Sequence, residues 1–275
     1  MHMQFTPYAP HPLLRNYIAR IWVFTSGSPI PRDDMKLIVP NGRLKLIIPF
    51  KSVKTVKLNG STHRSGEHCI TLVGLSDTPH FVNSDADDPS GTIGVEFHPH
   101  GAYRFFRLNY QDIKNQLHPL TDILGTVIKQ LEQQLANTAT NDDKVQLLQQ
   151  FLIKSFLRTG EDAIFDFCIE KIQLSKGTIS VKELQRRTGY SSRWLNMKFM
   201  ERVGISPKNL SAIIRFQEVY RALTAASGPH LDARFFYDYY YDQSHFIKDF
   251  KRFTGMPPHK LSKIANEFGK LYFKE

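Results

Sequence analysis

At 275 residues, 41% hydrophobic and 12% aromatic, the chain is long enough for about two domains of ordinary size, each with its own core. No apolar run approaches the roughly 18 residues of a membrane span, and residues 1–10 lack a basic segment followed by an apolar one, so neither a membrane anchor nor export is expected and a cytoplasmic location is. The 36 Lys and Arg against 26 Asp and Glu, a formal net charge of +10, favour polyanionic partners, and the isolated Cys69 and Cys168 give neither a disulfide framework nor a metal ribbon.

Between residues 22 and 97, short apolar runs at 45–48, 53–58, 70–73 and 92–97 alternate with Gly, Pro, Asn and Asp clusters, a spacing that predicts short β-strands joined by turns. Beyond Gly101 the pattern lengthens. Ile123, Val127, Ile128, Leu131 and Leu135 recur at helical spacing, as do Val145, Leu148, Leu152 and Phe156, so two helices should follow the sheet, separated by a polar loop over 136–143. Residues 158–162, Arg-Thr-Gly-Glu-Asp, read as a linker, which divides the chain into a β-rich domain over 1–158 and a second domain over 162–268. The first 160 residues hold 17 basic and 13 acidic side chains and the shorter remainder 19 and 13, so charge density rises toward the C-terminus.

The second domain is helical by pattern and repeats itself: Leu195, Phe199, Gly204 and Pro207 recur at a constant offset as Phe246, Phe250, Gly255 and Pro258. Each copy ends in a Gly-x-x-Pro stop, where Gly can take the left-handed cap and Pro prevents continuation. In the first copy, a helix beginning near Val181 meets the turn Thr188-Gly189-Tyr190-Ser191 and a second helix over about 192–203. Ser180 with Glu183 forms a capping box for the first helix, and Ser191 caps the second. Leu195, Phe199 and Val203 must face the core. Arg193, Asn196 and Met197 then project elsewhere, where Arg can bond guanine, Asn adenine and Met a thymine methyl. In the second copy Asp242 caps a helix whose core stripe is Phe246, Phe250 and Phe253, leaving Gln243, Ser244, Ile247 and Lys248 as base readers. Ser191, Ser192, Lys198, Lys251 and Arg252 suit the phosphate backbone. A single helix over about 207–226, packed through Leu210, Ile213, Ile214, Val219 and Leu223, would join the two and fix their distance.

These residues carry a resemblance. Gly189-Tyr190-Ser191-Ser192-Arg193-Trp194-Leu195 with Phe199, Gly204-Ile205-Ser206-Pro207, and Asp242-Gln243-Ser244-His245-Phe246 with Phe250-Lys251-Arg252 and Gly255 look like the DNA-binding domain of the AraC/XylS family over about a hundred residues. The resemblance implies a transcription regulator with promoter DNA as its partner. One departure stands out: where the family has Gly in the second turn and a small residue four positions earlier, this chain has Tyr239 and Phe235, so an altered turn is expected. Tyr8-Ala9-Pro10, Ile21-Trp22, Val39-Pro40-Asn41-Gly42, Lys45-Leu46-Ile47 and residues 94–102 are similar, more loosely, to sensor domains of such regulators, which implies a β-barrel-like fold followed by helices and an effector or partner site.

Competing readings concern the first domain. His98 and His100 resemble the His-x-His of a metal-binding cupin, but the acid that should follow is missing, and Glu67, His68 or His63 would have to come from another strand. Turn or surface histidines are the plainer reading. Glu96 alternates outward into solvent unless it is a buried ligand contact. The aromatic run 237–241 could be a stacking platform, with helix packing as the plainer role. No P-loop, dinucleotide fingerprint, nucleophile elbow or zinc protease motif occurs, so an enzyme is not expected, with a catalytic or metal-binding first domain as the alternative. The fold expected is α+β, a β-rich barrel-like domain with helices and then an all-α domain with two helix-turn-helix units. The function expected is a DNA-binding regulator without cofactor, metal or membrane partner. Its further partners would be an effector of unknown identity, RNA polymerase, and a second copy of the chain if an apolar patch over 123–135 or 147–157 is exposed.

Overall fold

Alternation of side chains along ten described strands builds two antiparallel sheets, seen in a computed structural model that describes residues 3–30, 36–84, 88–156, 162–225 and 237–261. The larger sheet orders β1 (Met3–Tyr8), β2 (Ile18–Pro29), β9 (Pro89–Phe97), β4 (Lys45–Lys51), β7 (Thr71–Val73) and β10 (Leu117–Pro119). The smaller orders β3 (Lys36–Ile38), β8 (His80–Ser84), β5 (Lys54–Leu58) and β6 (Ser61–Ser65). Asn59 and Gly60, at φ 50° and 79°, make the two-residue turn between β5 and β6, a conformation Asn-Gly adopts at low cost.

One face of the larger sheet presents Ile21, Val23, Leu46, Ile48, Leu72, Ile93 and Val95, all buried against the helices. The residues between them, Trp22, Phe24 and Ile47, turn toward the smaller sheet. Because β9 is central and covered on both sides, Glu96 does not reach solvent as alternation alone suggested. It is fully buried and accepts hydrogen bonds from Arg20 at 2.9 Å, Arg43 at 3.2 Å and Asn41 at 3.4 Å.

Three helices follow, α1 (Leu120–Leu124), α2 (Thr126–Asn137) and α3 (Asn141–Ser155), so the loop read over 136–143 shrinks to its centre. The Thr140 side chain accepts from the Asp143 N–H at 3.1 Å and starts α3 early. The second helical set is α4 (Ala163–Leu174), α5 (Val181–Thr188), α6 (Ser192–Val203), α7 (Pro207–Ala225), α8 (Gln243–Thr254) and the short α9 (Pro258–Leu261). The expected boundary near 158–162 falls almost wholly outside the described residues, as do Phe235 and Leu157. A single buried cluster runs from the larger sheet through α2 and α3 into α4, α6, α7 and α8. The overall architecture is α+β, a two-sheet β unit followed by a helical unit.

Candidate nucleic-acid interface

The first helix-turn-helix unit closes by local chemistry. Ser180 Oγ accepts from the Glu183 N–H at 3.1 Å, Gly189 turns the chain at φ 75°, and Ser191 Oγ accepts from the Trp194 N–H at 3.2 Å. The expected capping box is only half made. The Glu183 carboxylate turns to Arg186 at 2.7 Å and Arg187 at 2.6 Å, whose hydrogen bonds hold its pKa down to about 2. Two guanidiniums competing for one carboxylate outweigh its return bond to the cap. On α6, Leu195, Phe199 and Val203 are fully buried, while Arg193, Asn196 and Met197 are exposed on another side. Ser191 is exposed and Ser192 half-buried beside them. Lys198 is also half-buried, 3.8 Å from Glu201 and over the Trp194 ring. Trp194 stacks on Tyr190 at 4.1 Å, so the aromatic pair walls the turn.

In the second unit the Asp242 side chain accepts from the His245 N–H at 2.7 Å, and Phe246, Phe250 and Phe253 form the buried stripe. Gln243, Ser244, Ile247, Lys248, Lys251 and Arg252 are exposed. Tyr239 does not adopt a positive φ. The turn is closed instead by its neighbour Tyr240, which is buried, packs edge-on against Phe246 at 5.3 Å and lies under the Arg215 guanidinium at 4.8 Å. Tyr240 thus packs as the plainer reading of the aromatic run required, whereas Tyr237 and Tyr241 are exposed. Arg215 on α7 also pairs with Asp249 at 3.0 Å, which ties the joining helix to α8. Sequence reasoning missed Arg215 and Asp249, and that Arg215 covers Tyr240, because these pairings cross 25 or more residues and have no local period.

The two units meet the β-sheet unit differently. On the first, the Tyr110 N–H donates to the Glu201 carbonyl at 3.1 Å, and the Arg202 guanidinium lies 4.9 Å from the centre of the Tyr103 ring, both at the C-terminal end of α6. On the second, Arg252 reaches across to the buried Asp77 at 3.0 Å, and Gly255 faces Pro79. Asp77 is held further by Lys114 at 2.8 Å and by Asn115 at 2.8 Å. Burial alone would raise the Asp77 carboxyl, but these partners and Arg252 lower it.

Between the two sheets lies a cavity of about 100 Å³. Its walls are mainly apolar, with Trp22, Phe24, Ile38, Ile47, Val56, Val73 and Val82, yet Lys36, Lys45, Lys54, His80 and Thr92 also line it. Burial brings Lys45 and Lys54 down to about 8, and burial with the nearby Lys45 brings His80 down to about 3. Lys54 donates to Ser90 Oγ. Elsewhere in this unit, His98 and His100 stack ring on ring at 5.8 Å, and His100 Nε2 lies 2.9 Å from the Asn16 carbonyl. Among the described residues no three His, Cys, Asp or Glu side chains are grouped to hold a metal, so His63, Glu67 and His68 do not complete a site with that pair. On the helices expected to carry a dimerisation patch, Val127 is the single large exposed apolar side chain among the described residues. No described helix is long and apolar enough to cross a membrane.

A capped helix-turn-helix over 181–203 and a second capped helix, α8, each with polar residues exposed opposite a buried stripe, make the candidate DNA-binding surface, and the helix that would precede α8 in the second unit lies outside the described residues. Residues 184–264 match the family described as a helix-turn-helix domain, and residues 6–119 match a domain of unknown function (DUF6597). No curated protein matches the chain. Among solved structures, ToxT from Vibrio cholerae O395 bound to (E)-4-(8-methylnaphthalen-1-yl)but-3-enoic acid is similar with a TM-score of 0.49 at 12% identity, covering 97% of this chain and 100% of that one. A second structure of ToxT from Vibrio cholerae O395 gives a TM-score of 0.47 at 12% identity over 92% and 99%. The Cupin_2 domain of an XRE family transcriptional regulator from Enterobacter cloacae gives 0.28 at 11% identity over 35% of this chain and 96% of that one. Residues 184–264 thus carry a helix-turn-helix domain of the AraC type, a DNA-binding unit.

Proposed function

We propose that this regulator reads promoter DNA with α6 and α8 in two successive major-groove segments about 34 Å apart. The observation that carries the reading is the matched presentation of the two helices: each is capped at its N-terminus by a side chain, buries one apolar stripe, and exposes Arg193, Asn196 and Met197 or Gln243, Ser244, Ile247 and Lys248. Ser191, Ser192, Lys198 and Lys251 would take the flanking phosphates. Arg252 is a phosphate ligand only after it leaves Asp77, so DNA and the β-sheet unit compete for one guanidinium. In this reading residues 1–158 form the sensing domain and 162–268 the reading domain. A small molecule in the cavity between the sheets would alter how firmly Asp77 is presented, because His80 in the cavity wall lies three residues along the chain from it. RNA polymerase would respond to the resulting occupancy. No covalent step is involved.

The test is selection of genomic fragments, including the region upstream of the protein's own gene, in moderate salt with excess nonspecific competitor. The wild type should select a fragment that Arg193→Ala and Gln243→Ala fail to select. Weak binding that salt erases, with no fragment enriched, would defeat the reading.

A further inference from the structure

The joining helix α7 holds its two neighbours by different means. The first unit is seated on the α7 backbone: Gly177, at φ 76° in the connection between α4 and α5, comes so close that a Cβ there would lie 2.2 Å from the Ser211 carbonyl oxygen and 2.7 Å from the Arg215 backbone nitrogen. The second unit is seated by side chains. Phe216 on α7 meets the Phe250 ring at 5.8 Å and the Phe253 ring at 5.0 Å. Such contacts hold α8 against α7 but do little to fix its rotation, because apolar attraction is non-directional. Beside them stands Arg215, whose contacts are directional. Its guanidinium donates to the Asp249 carboxylate at 3.0 Å, lies 3.3 Å from His245 Nε2, covers the Tyr240 ring at 4.8 Å and reaches back to the Gly177 carbonyl at 3.5 Å. One planar group therefore touches the α4–α5 connection, the turn before α8, and two successive turns of α8.

His245 and Asp249, four residues apart, share one side of α8, while Gln243, Ser244, Ile247 and Lys248 are exposed around it. Any rotation of α8 that breaks the Arg215 contacts swings those four side chains with it. The first unit carries a different pair at these positions: the offset that maps Leu195 onto Phe246 maps Trp194 onto His245 and Lys198 onto Asp249. The geometry points to Arg215 as a specificity-determining residue for spacing. By holding α8 at one rotation relative to the first unit, it sets the separation and angular offset of the two DNA segments that the chain accepts. This inference rests on the proposed reading of DNA by α6 and α8. Arg215 acts through α8 and is a positioning residue. A guanidinium suits the task because its flat fork donates in several directions at once, whereas a lysine ammonium can keep the Asp249 pair but not the full set of contacts.

The test measures affinity of the full chain for a selected genomic site, with its two contacted segments located by footprinting, and for versions lengthened or shortened by one base pair between them. Each such step shifts one segment by about 3.4 Å and turns it by roughly 35°. Arg215→Lys keeps the charge pair, and Arg215→Met combined with Asp249→Leu removes both charges together, so neither variant leaves a buried carboxylate alone. Melting curves verify that both fold. The wild type should bind the altered spacings about fivefold more weakly than the parent site or worse. Both variants should keep parent-site affinity within about threefold and shrink the spacing penalty to about twofold or less. A merely stabilising Arg215 would instead weaken all spacings alike and leave their ratios unchanged. That outcome in the folded variants, or a wild type indifferent to spacing, would overturn the role of Arg215 while leaving the selected site intact. A wild type that selects no fragment would overturn the regulator reading, and this inference with it.

Discussion

The first helix-turn-helix unit keeps its reading side chains clear of the β-sheet unit, whereas the second gives up a phosphate-binding candidate, Arg252, to Asp77. Both are anchored, but at different places. The first is held at the C-terminal end of α6, through the Glu201 carbonyl on Tyr110 and Arg202 on the Tyr103 ring, away from Arg193 and Asn196. The second is held on its exposed face, through the same surface that would lie against DNA. If α6 and α8 are the readers proposed above, anchoring behind the first leaves it constitutively available, and anchoring on the face of the second makes it conditional.

The largest expected effect comes from breaking the anchor of the first unit. Gly204 sits at φ 84°, and a Cβ there would lie 2.4 Å from the Tyr110 carbonyl oxygen. Gly204→Ala should therefore cost about 2–4 kcal/mol of stability in chemical denaturation, from backbone strain plus overpacking. Gly255→Ala, equivalent by repeat, has a similar φ of 76° but meets Pro79 at an ordinary 3.6 Å, and should cost about 1 kcal/mol. Equal losses would erase the structural difference between the units.

Next in size is the reader itself. Arg193→Ala should lower affinity for a selected site by roughly 1–3 kcal/mol and relax preference at one base position, read by competition with substituted sites. Asp77→Asn should act in the opposite direction and more weakly, tightening DNA binding severalfold, because a partly exposed ion pair contributes at most about 1 kcal/mol. A gain of that kind in the wild-type background and none beside Arg252→Gln would assign it to the clasp. The smallest effect is Lys251→Ala, which should weaken binding to all sequences alike and reduce the slope of log affinity against log salt by about one.

What could be read from the sequence was local. Ser180, Ser191 and Asp242 as caps, Leu195, Phe199 and Val203 as one stripe, and the exposed faces opposite them all follow from spacing within a single turn or helix, and the structure shows each of them. The half-made capping box at Glu183 failed because Arg186 and Arg187 compete for the same carboxylate. The cavity was illegible for a different reason. Lys45 and Lys54 sit in alternating strands where a lysine ordinarily points to water, and only the stacking of one sheet on the other makes their side the inside. Glu96 was misassigned by the same limit, since alternation gives two faces but does not say that both are covered. The Asp77–Arg252 pair joins residues far apart in sequence through the docking of two units, and no period encodes that.

Hydroxyl-radical footprinting of a selected site by the wild type and by Asp77→Asn addresses the conditional second reader most directly. The wild type should protect the segment contacted by α6 strongly and the segment one helical turn away weakly, and Asp77→Asn should raise protection of that second segment to match the first. Two segments protected equally by the wild type, with no change in Asp77→Asn, would contradict the account and return Arg252 to the role of a freely available phosphate ligand.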